Sequence, residues 1–168
     1  MKVLVVGGTG ALGGHCALHL AAKGHEVTIG ARKSADSATP MAQMPFLQGD
    51  YVAGDYTSDR LAGFDWVVFA AGNDPRHVPA DADFAEFLIR ANHEAVPSFF
   101  AACREAGVKR AVQLGSYYHQ AAPQLLEGNG YIRSRKAACE GARAEGRAGF
   151  DVVSVNAPFM VGNVPGLP

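Results

Sequence analysis

The sequence predicts an α/β fold in which a parallel sheet is covered by helices on both faces. Continuous apolar runs, at residues 3–6 and 65–71, suit strands that are buried on both sides. Segments with helical periodicity separate such runs along the whole chain, and this alternation requires parallel strands joined by crossover helices. We therefore expect one domain, residues 1–168, with a doubly wound sheet and a ligand crevice at the carboxyl ends of its strands.

Composition and charge exclude several classes of function. A net charge of −1 gives no basis for binding nucleic acid or an anionic membrane. The apolar runs are far shorter than a membrane span, and the N-terminus reads as a strand rather than a signal peptide. Three widely spaced cysteines, Cys16, Cys103 and Cys139, fall on predicted helices and are typical of a reducing compartment. We expect a soluble, cytoplasmic domain.

Strands and helices follow one another in a regular order. Pro97 lies inside the longest helical pattern and cannot donate a backbone hydrogen bond, so a kink or break is expected near His93. The apolar face of residues 84–106 is also a candidate surface for a homodimer. Residues 35–45 contain two prolines and no clear period, and read as a connection or a distorted helix. The predicted strands cover residues 3–6, 26–31, 46–47, 65–71, 110–114 and 151–155, and the predicted helices cover residues 11–23, 81–106 and 131–147.

A glycine-rich stretch joins the first strand to the first helix. The spacing is G-x-x-G-x-x-G from Gly7 through Gly10 to Gly13, and G-x-G-x-x-G when it is read from Gly8. Glycines permit a tight turn and a close approach of backbone to ligand, and a helix N-terminus attracts phosphate. Because the motif stands between a strand and a helix, it predicts a dinucleotide site rather than a turn without a ligand.

Further short motifs occur along the chain in a fixed order. They are GGTGALG at 7–13, Gly54-Asp55, Ala70-Ala71-Gly72, Asn92, REAGVKR at 104–110, Leu114-Gly115-Ser116 and YIRSR at 131–135. This ordered set covers nearly the whole chain and resembles the short-chain dehydrogenase/reductase superfamily, in its extended or atypical NAD(P)-dependent epimerase/dehydratase-like group. The resemblance implies a Rossmann-type fold, a nicotinamide dinucleotide and hydride transfer on a carbonyl, hydroxyl or sugar-like substrate.

The resemblance also assigns the cofactor contacts. The second strand ends at Ala31-Arg32-Lys33, without the carboxylate that normally binds the ribose of NAD. Arg32 suits a 2′-phosphate instead, so NADP is expected in preference to NAD. Asp55 occupies the position that meets the adenine amino group. The alternatives are a solvated loop cation for Arg32 and a turn-forming carboxylate for Asp55. The assigned cofactor residues are Gly7, Gly10, Ala11, Leu12, Gly13, Arg32, Asp55, Ala70, Ala71 and Gly72.

Ser116, Tyr131 and Arg135 stand where the family places its catalytic serine, tyrosine and lysine. A tyrosine that exchanges protons at a carbinol oxygen benefits from a cation one helical turn away. Arg135 lies about 40° from Tyr131 around a helix, whereas Lys136 lies about 140° away. Arginine keeps its proton at working pH, so it supplies charge without relaying protons. The alternative is therefore a catalytically silent NAD(P)-binding sensor or regulatory module.

Other residues complete the interpretation. The resemblance gives Asn92 a structural role. The predicted substrate is a small molecule, but its identity cannot be read, because the substrate-binding region that follows residues 157–162 in extended members is absent from the sequence. His15 and His19 are four residues apart on a helix without a third ligand, so no metal site is predicted. Three residues that follow Ser116 are candidates for the substrate pocket: Tyr117, Tyr118 and His119.

Overall fold

A computed structural model describes residues 1–167 and shows six parallel strands in one sheet. Their order across the sheet is β3-β2-β1-β4-β5-β6, so the chain reverses its direction of winding between β1 and β4. The predicted doubly wound parallel sheet is thereby confirmed. The strands are β1 (Lys2–Val6), β2 (Glu26–Ala31), β3 (Phe46–Gln48), β4 (Trp66–Phe69), β5 (Arg110–Ser116) and β6 (Asp151–Ala157).

Helices and short helical turns occupy the connections. Two four-residue helices, Ser58–Leu61 and Tyr118–Ala121, and two 3₁₀ turns, Pro75–His77 and Pro123–Leu126, were not expected from the sequence. None of the helices within residues 1–167 is long and apolar enough to span a membrane. The helices are α1 (Ala11–Ala22), α2 (Ser58–Leu61), α3 (Phe84–Leu88), α4 (Ala95–Glu105), α5 (Tyr118–Ala121) and α6 (Gly130–Ala144), with a π-helix at Ile89–Glu94 and 3₁₀ turns at Pro40–Gln43, Pro75–His77 and Pro123–Leu126.

The core lies on both faces of the sheet, which explains why β1 is apolar without alternation. Leu4 and Val6 belong to a buried cluster with the α4 side chains Phe99 and Phe100. Val3 and Val5 point to the other face, where they pack with residues of α1 and of the 3₁₀ turn at Pro40–Gln43. The β1 residues from Val3 to Val6 are therefore all removed from water, alternately by the two layers.

The long helical pattern is interrupted where a kink was expected. Pro97 has no amide hydrogen to donate to the carbonyl of His93, and the π-helix at Ile89–Glu94 lies directly before α4. Along α4 the apolar face is buried in the chain's own core, while Phe84 on α3 remains 44% exposed. The homodimer stays a prediction.

Several element ends differ from expectation for identifiable reasons. β4 ends at Phe69 rather than residue 71, because its neighbour β1 ends at the paired residue Val6. β5 and β6 each extend two residues further because they continue to pair with each other up to Ser116 and Ala157. α6 begins one residue earlier than predicted, where the Asn129 side chain caps it.

The tryptophan Trp66 marks the amino end of β4. The centroid of its ring lies 5.5 Å from the ring centroid of His25 and 5.8 Å from the guanidinium carbon of Arg110. This cluster lies at the amino edge of the parallel sheet, opposite the edge at which the glycine-rich loop follows β1.

Candidate cofactor and active site

Two adjoining clefts open at the carboxyl edge of the sheet. The first cleft has a volume of about 610 Å³ and lies beside the ends of β2 and β3. The second cleft has a volume of about 650 Å³ and lies beside the ends of β5 and β6. Both share Gly7, Gly10 and residues 70–73 as walls, so they form one continuous groove across the reversal of strand order. This is the place where doubly wound sheets bind ligands.

The glycine-rich loop forms the floor between the clefts. Gly7 has a φ of +82°, and a Cβ there would lie 2.6 Å from the Ala71 nitrogen. A Cβ on Gly13 would overlap the carbonyl oxygen of Gly7, so these two glycines are required by the packing of the protein itself. A Cβ on Gly10 would meet only that same oxygen, at 3.5 Å. The space at Gly10 is therefore open toward the groove.

The start of α1 offers free backbone donors to that groove. Gly10 is the N-cap residue and no side chain caps the helix. Ala11, Leu12 and Gly13, which form the first turn, line the second cleft. Unsatisfied amide groups and the positive end of the helix dipole together favour a diphosphate at this position. The residues present thus fit the pyrophosphate of a dinucleotide.

Cations dominate the end of the first cleft. Arg32 and Lys33 follow β2 and line this cleft, and Gln48 Nε2 donates to the carbonyl oxygen of Arg32 at 3.1 Å. Among the described residues that line it, Asp50 carries the single carboxylate. Asp50 follows β3 and not β2, so the end of β2 itself carries no acidic side chain.

Asp50 and Asp55 take different places in the loop after β3. Asp50 lines the first cleft, whereas the Asp55 side chain accepts a hydrogen bond from the Asp50 amide at 2.8 Å and shapes the loop. Asp55 is not among the residues that line this cleft. Sequence reasoning overlooked Asp50, although Gly49-Asp50 follows the strand directly and repeats the Gly54-Asp55 pair. The adenine contact assigned to Asp55 remains an untested prediction.

The three predicted catalytic residues lie together in the second cleft. Ser116 ends β5, while Tyr131 and Arg135 lie on α6, and all three line the cleft together with Gly72. Lys136 pairs with Glu140 on the outer surface at 3.7 Å, so the inward residue of the pair is Arg135, as the helical spacing indicates. The structure therefore brings a hydroxyl, a phenol and a guanidinium into one cleft, and Arg135 forms part of its wall.

Arg135 is held rigidly in that wall. It is 8% exposed, and its Nη2 donates to the carbonyl oxygen of Leu114 at 3.1 Å. A Cβ on Gly72 would lie 3.0 Å from its Nη1, so Gly72 is the surface on which the guanidinium rests. Its Nε has no hydrogen-bond partner, and no carboxylate within residues 1–167 forms an ion pair with it.

The mouth of the second cleft carries a polar cluster that sequence reasoning missed. Asp74 pairs with Arg76 at 2.6 Å, and the Arg76 guanidinium holds the pKa of that carboxyl below its usual range. Among the three candidates for a substrate pocket, Tyr118 lines this cleft, and Tyr117 and His119 do not. The sequence around Arg76 shows no hydrophobic periodicity. Its one local signal is the turn-forming pair Asp74-Pro75, which begins the 3₁₀ turn.

Comparison with known proteins agrees with this geometry. Residues 3–164 match the NAD dependent epimerase/dehydratase family. Among solved structures, MoeE5 in complex with UDP-glucuronic acid and NAD has a TM-score of 0.74 and 24% identity, over 93% of this chain and 54% of that one. A UDP-N-acetylglucosamine 4-epimerase from Bacillus cereus has a TM-score of 0.67 and 18% identity, over 93% and 53%. The comparison with curated proteins found no match.

For a third solved structure, the match extends over a larger share of that protein's length. A putative NAD-dependent epimerase/dehydratase from Bacillus halodurans has a TM-score of 0.72 and 22% identity, over 94% of this chain and 70% of that one. The chain spans about half the length of MoeE5 and of the Bacillus cereus epimerase. Likeness at these identities shows the fold. Because the family match extends over residues 3–164, the chain belongs to the NAD-dependent epimerase/dehydratase family.

Proposed function

We propose that this chain binds a nicotinamide dinucleotide across both clefts and exchanges hydride at a carbonyl or hydroxyl carbon of a small, sugar-like substrate. The observation that carries the proposal is the presence of Ser116, Tyr131 and Arg135 in one cleft, which the uncapped first turn of α1 also lines. MoeE5 and the Bacillus cereus epimerase, by their names, act on or bind sugar nucleotides. Their common fold supports the same substrate class here.

The residues of the second cleft divide the proton chemistry between them. In reduction, the substrate carbon gains a hydride while Tyr131 donates its phenolic proton to the substrate oxygen, and oxidation reverses both transfers. Ser116 donates a hydrogen bond that orients that oxygen. Arg135 contributes a fixed positive charge and keeps its own proton. The bound nicotinamide supplies or accepts the hydride. An epimerase or dehydratase uses such an oxidation transiently.

The end of β2 supports a preference for NADP. Arg32 and Lys33 line the first cleft without a neighbouring carboxylate on β2, which suits a 2′-phosphate and not a bare 2′-hydroxyl. The family description and the MoeE5 complex name NAD, which favours NAD for the family at large. The preference for NADP is therefore proposed for this chain alone, on Arg32 and Lys33.

The experiment that tests turnover uses the absorbance of the reduced cofactor. The chain is mixed with NADPH or NADH and with aldehydes, ketones or nucleotide sugars, and Tyr131→Phe is expected to lower the rate by about 10²-fold or more. Tyr117→Phe is the matched control. Tyr117 lies outside the second cleft, so the loss of its hydroxyl leaves the proposed proton donor, Tyr131, intact. Equal rates for Tyr131→Phe and the unaltered chain would contradict the assignment.

A second function is favoured by the rigid setting of Arg135. A guanidinium that is bonded to the Leu114 carbonyl and keeps its proton does not take part in a proton relay. A cofactor-binding sensor or regulatory module would retain the dinucleotide groove and perform no turnover. Tight cofactor binding without an absorbance change for any substrate, together with unchanged binding in Tyr131→Phe, would establish this alternative.

A further inference from the structure

A line of buried polar groups connects the first cleft with the start of α6. The Tyr51 hydroxyl accepts a hydrogen bond from Asn73 Nδ2 at 2.8 Å. The carbonyl oxygen of Asn73 accepts from Asn92 Nδ2 at 3.1 Å, and the same Nδ2 lies 3.1 Å from Ser134 Oγ. Ser134 Oγ donates to the carbonyl oxygen of Tyr131 at 2.8 Å. We call Tyr51, Asn73, Asn92 and Ser134 the polar link.

The hydrogen bonds around Asn92 have fixed directions. The main-chain carbonyl oxygen of Asn73 only accepts, so Asn92 must present its amide nitrogen to Asn73. Ser134 then accepts from that nitrogen and gives its own proton to the Tyr131 carbonyl. The four residues are 9%, 5%, 0% and 7% exposed in the order of the link, so water does not replace a lost bond. The side-chain oxygen of Asn92 has no hydrogen-bond partner within residues 1–167, so the link holds this residue by its amide nitrogen alone.

The link begins at the wall of the first cleft and ends at the main chain of Tyr131, a residue that lines the second cleft. Tyr51 lines the first cleft beside Asp50, and its ring packs edge-on against Phe69 with 5.0 Å between centroids. Burial raises the pKa of Tyr51 to about 12, so the hydroxyl stays protonated at neutral pH. No group within residues 1–167 accepts that proton, which leaves it available to a ligand in the first cleft. Asn73 lines both clefts, and Tyr131 lines the second.

The π-helix explains how Asn92 reaches the middle of the link. Asn92 lies within Ile89–Glu94, and its side chain is completely buried between the loop after β4 and α6. The wider turn of a π-helix shifts the side chains that follow it relative to a regular α-helix. The π-helix before Pro97 and the position of Asn92 are thus parts of one local arrangement.

We propose that Tyr51 is a positioning residue that couples occupation of the first cleft, by the adenosine half of the dinucleotide, to the position of Tyr131. The inference rests on the proposed function. A ligand that engages Asp50 and Tyr51 restrains Asn73, and the link carries that restraint to the first turn of α6. By linkage, an ordered first turn of α6 also raises the affinity for the adenosine half to the same extent.

The test uses fragments that reach only the first cleft, 5′-AMP and 2′,5′-ADP, and measures amide hydrogen exchange in residues 130–138. At saturating fragment, exchange in this segment of the unaltered chain is expected to slow about fivefold or more, as for a modest coupling between sites. Tyr51→Phe is expected to bind a fragment and lose this slowing. Ser134→Ala, which cuts the link at its other end outside both clefts, is expected to lose it as well.

Tyr56→Phe is the matched control. Tyr56 is also buried and lines the first cleft, but its hydroxyl donates to the carbonyl oxygen of Gly49 at 3.2 Å, within its own loop. Tyr56→Phe is expected to retain the slowing of amide exchange in residues 130–138 on fragment binding. Thermal melting of each variant verifies that the fold is intact. If Tyr51→Phe and Ser134→Ala still show the slowing, or the unaltered chain binds a fragment without it, the coupling is overturned. Failure of the unaltered chain to bind either fragment or dinucleotide would instead overturn the cofactor site, and the coupling with it.

Discussion

Gly10 and Gly13 stand three residues apart in one motif and differ in what a side chain would meet. A Cβ on Gly13 overlaps the Gly7 carbonyl, whereas a Cβ on Gly10 has room within the protein. Glycine is therefore needed at the two positions for different physical reasons. At Gly13 the reason is the close packing of α1 on the loop, and at Gly10 it is access for a ligand. A sequence motif does not separate these reasons, but two single variants do.

We predict that Gly13→Ala destabilises the fold while Gly10→Ala spares it and weakens cofactor binding. Overpacking at Gly13 costs about 1–3 kcal/mol, and an alanine N-cap at position 10 costs about 1 kcal/mol at most. Thermal melting and cofactor titration of both variants measure the two effects. Equal losses of melting temperature, with equal cofactor affinities, would contradict the division of roles.

The proposed preference for NADP depends on Arg32. Arg32→Ala is expected to weaken NADPH binding about tenfold or more, because a charge-assisted hydrogen bond to a phosphate contributes about 1.5–3 kcal/mol. NADH binding should change little. Titration followed by the emission of the reduced cofactor measures both. Arg110→Ala controls for net charge, because Arg110 lies at the opposite edge of the sheet. Tighter binding of NADH than of NADPH by the unaltered chain would refute the preference.

At the scale of elements, α4 and α6 are in direct contact, and this contact seats α6 against the core. A Cβ on Gly141 of α6 would collide with the Pro97 ring of α4. Arg104 of α4 also bonds to Glu145 at the end of α6, with 3.2 Å between Nη2 and Oε2. Pro97 therefore has two roles: it interrupts the helical hydrogen bonds before α4, and it provides the surface against which α6 packs.

Gly141→Ala is expected to lower the free energy of unfolding by about 1–3 kcal/mol through overpacking against Pro97. Adding Pro97→Ala should recover part of that loss, because the two substitutions act on one contact. Urea unfolding of the two single variants and the double variant yields the coupling energy. Strictly additive losses would show that the two helices do not depend on this contact. Gly128→Ala serves as a control, since a Cβ there meets nothing within 4 Å.

Sequence reasoning predicted the ends of an element correctly where a local signal determines them. It failed where a neighbouring strand determines them. β2 is observed at Glu26–Ala31 as predicted, because apolar periodicity and Gly24 determine both its ends. The ends of β4 and β5 depend on how far the neighbouring strands continue, which no local pattern encodes. A departure from the regular α-helix before Pro97 was predictable from its missing amide hydrogen, but its form as a π-helix was not.

At the scale of the whole molecule, the sheet edge gathers most of the candidate site. Arg32, Asn73 and Ser116 follow three different strands and all line the groove, as the rule for parallel sheets predicts. Asp55 follows β3 as well, yet it bonds back to its own loop. Topology thus predicts which loops approach a ligand. Which side chain of a loop faces the ligand depends on turn hydrogen bonds that the sequence does not reveal.

Alkaline pH is expected to destabilise the whole fold through Tyr51 and Tyr56. Burial raises the pKa of each phenol from 10.0 to about 12, so above pH 10 the unfolded chain releases protons that the folded chain retains. The free energy of unfolding therefore falls as pH rises from about 10 to 12, by roughly 2 kcal/mol for each tyrosine. Burial also raises the pKa of the Cys103 thiol, which adds to the fall in every variant.

Urea unfolding at several values between about pH 9 and pH 11 measures this fall. The double variant Tyr51→Phe with Tyr56→Phe should show a distinctly smaller decline than the unaltered chain. An identical decline in both would mean that the two phenols ionise in the folded protein as easily as in the unfolded one.

The position of Trp66 has a spectroscopic consequence. It is the single tryptophan of the sequence, and β4 separates it from the groove by three residue steps, roughly 10 Å, so a ligand at the carboxyl edge does not touch its ring. Its neighbours His25 and Arg110 set its surroundings, and unfolding disperses them. When unfolding removes these neighbours, the environment of the indole changes, and its emission spectrum reports whether the sheet is intact. The emission of the nicotinamide reports whether the cofactor is bound, so one sample yields both signals.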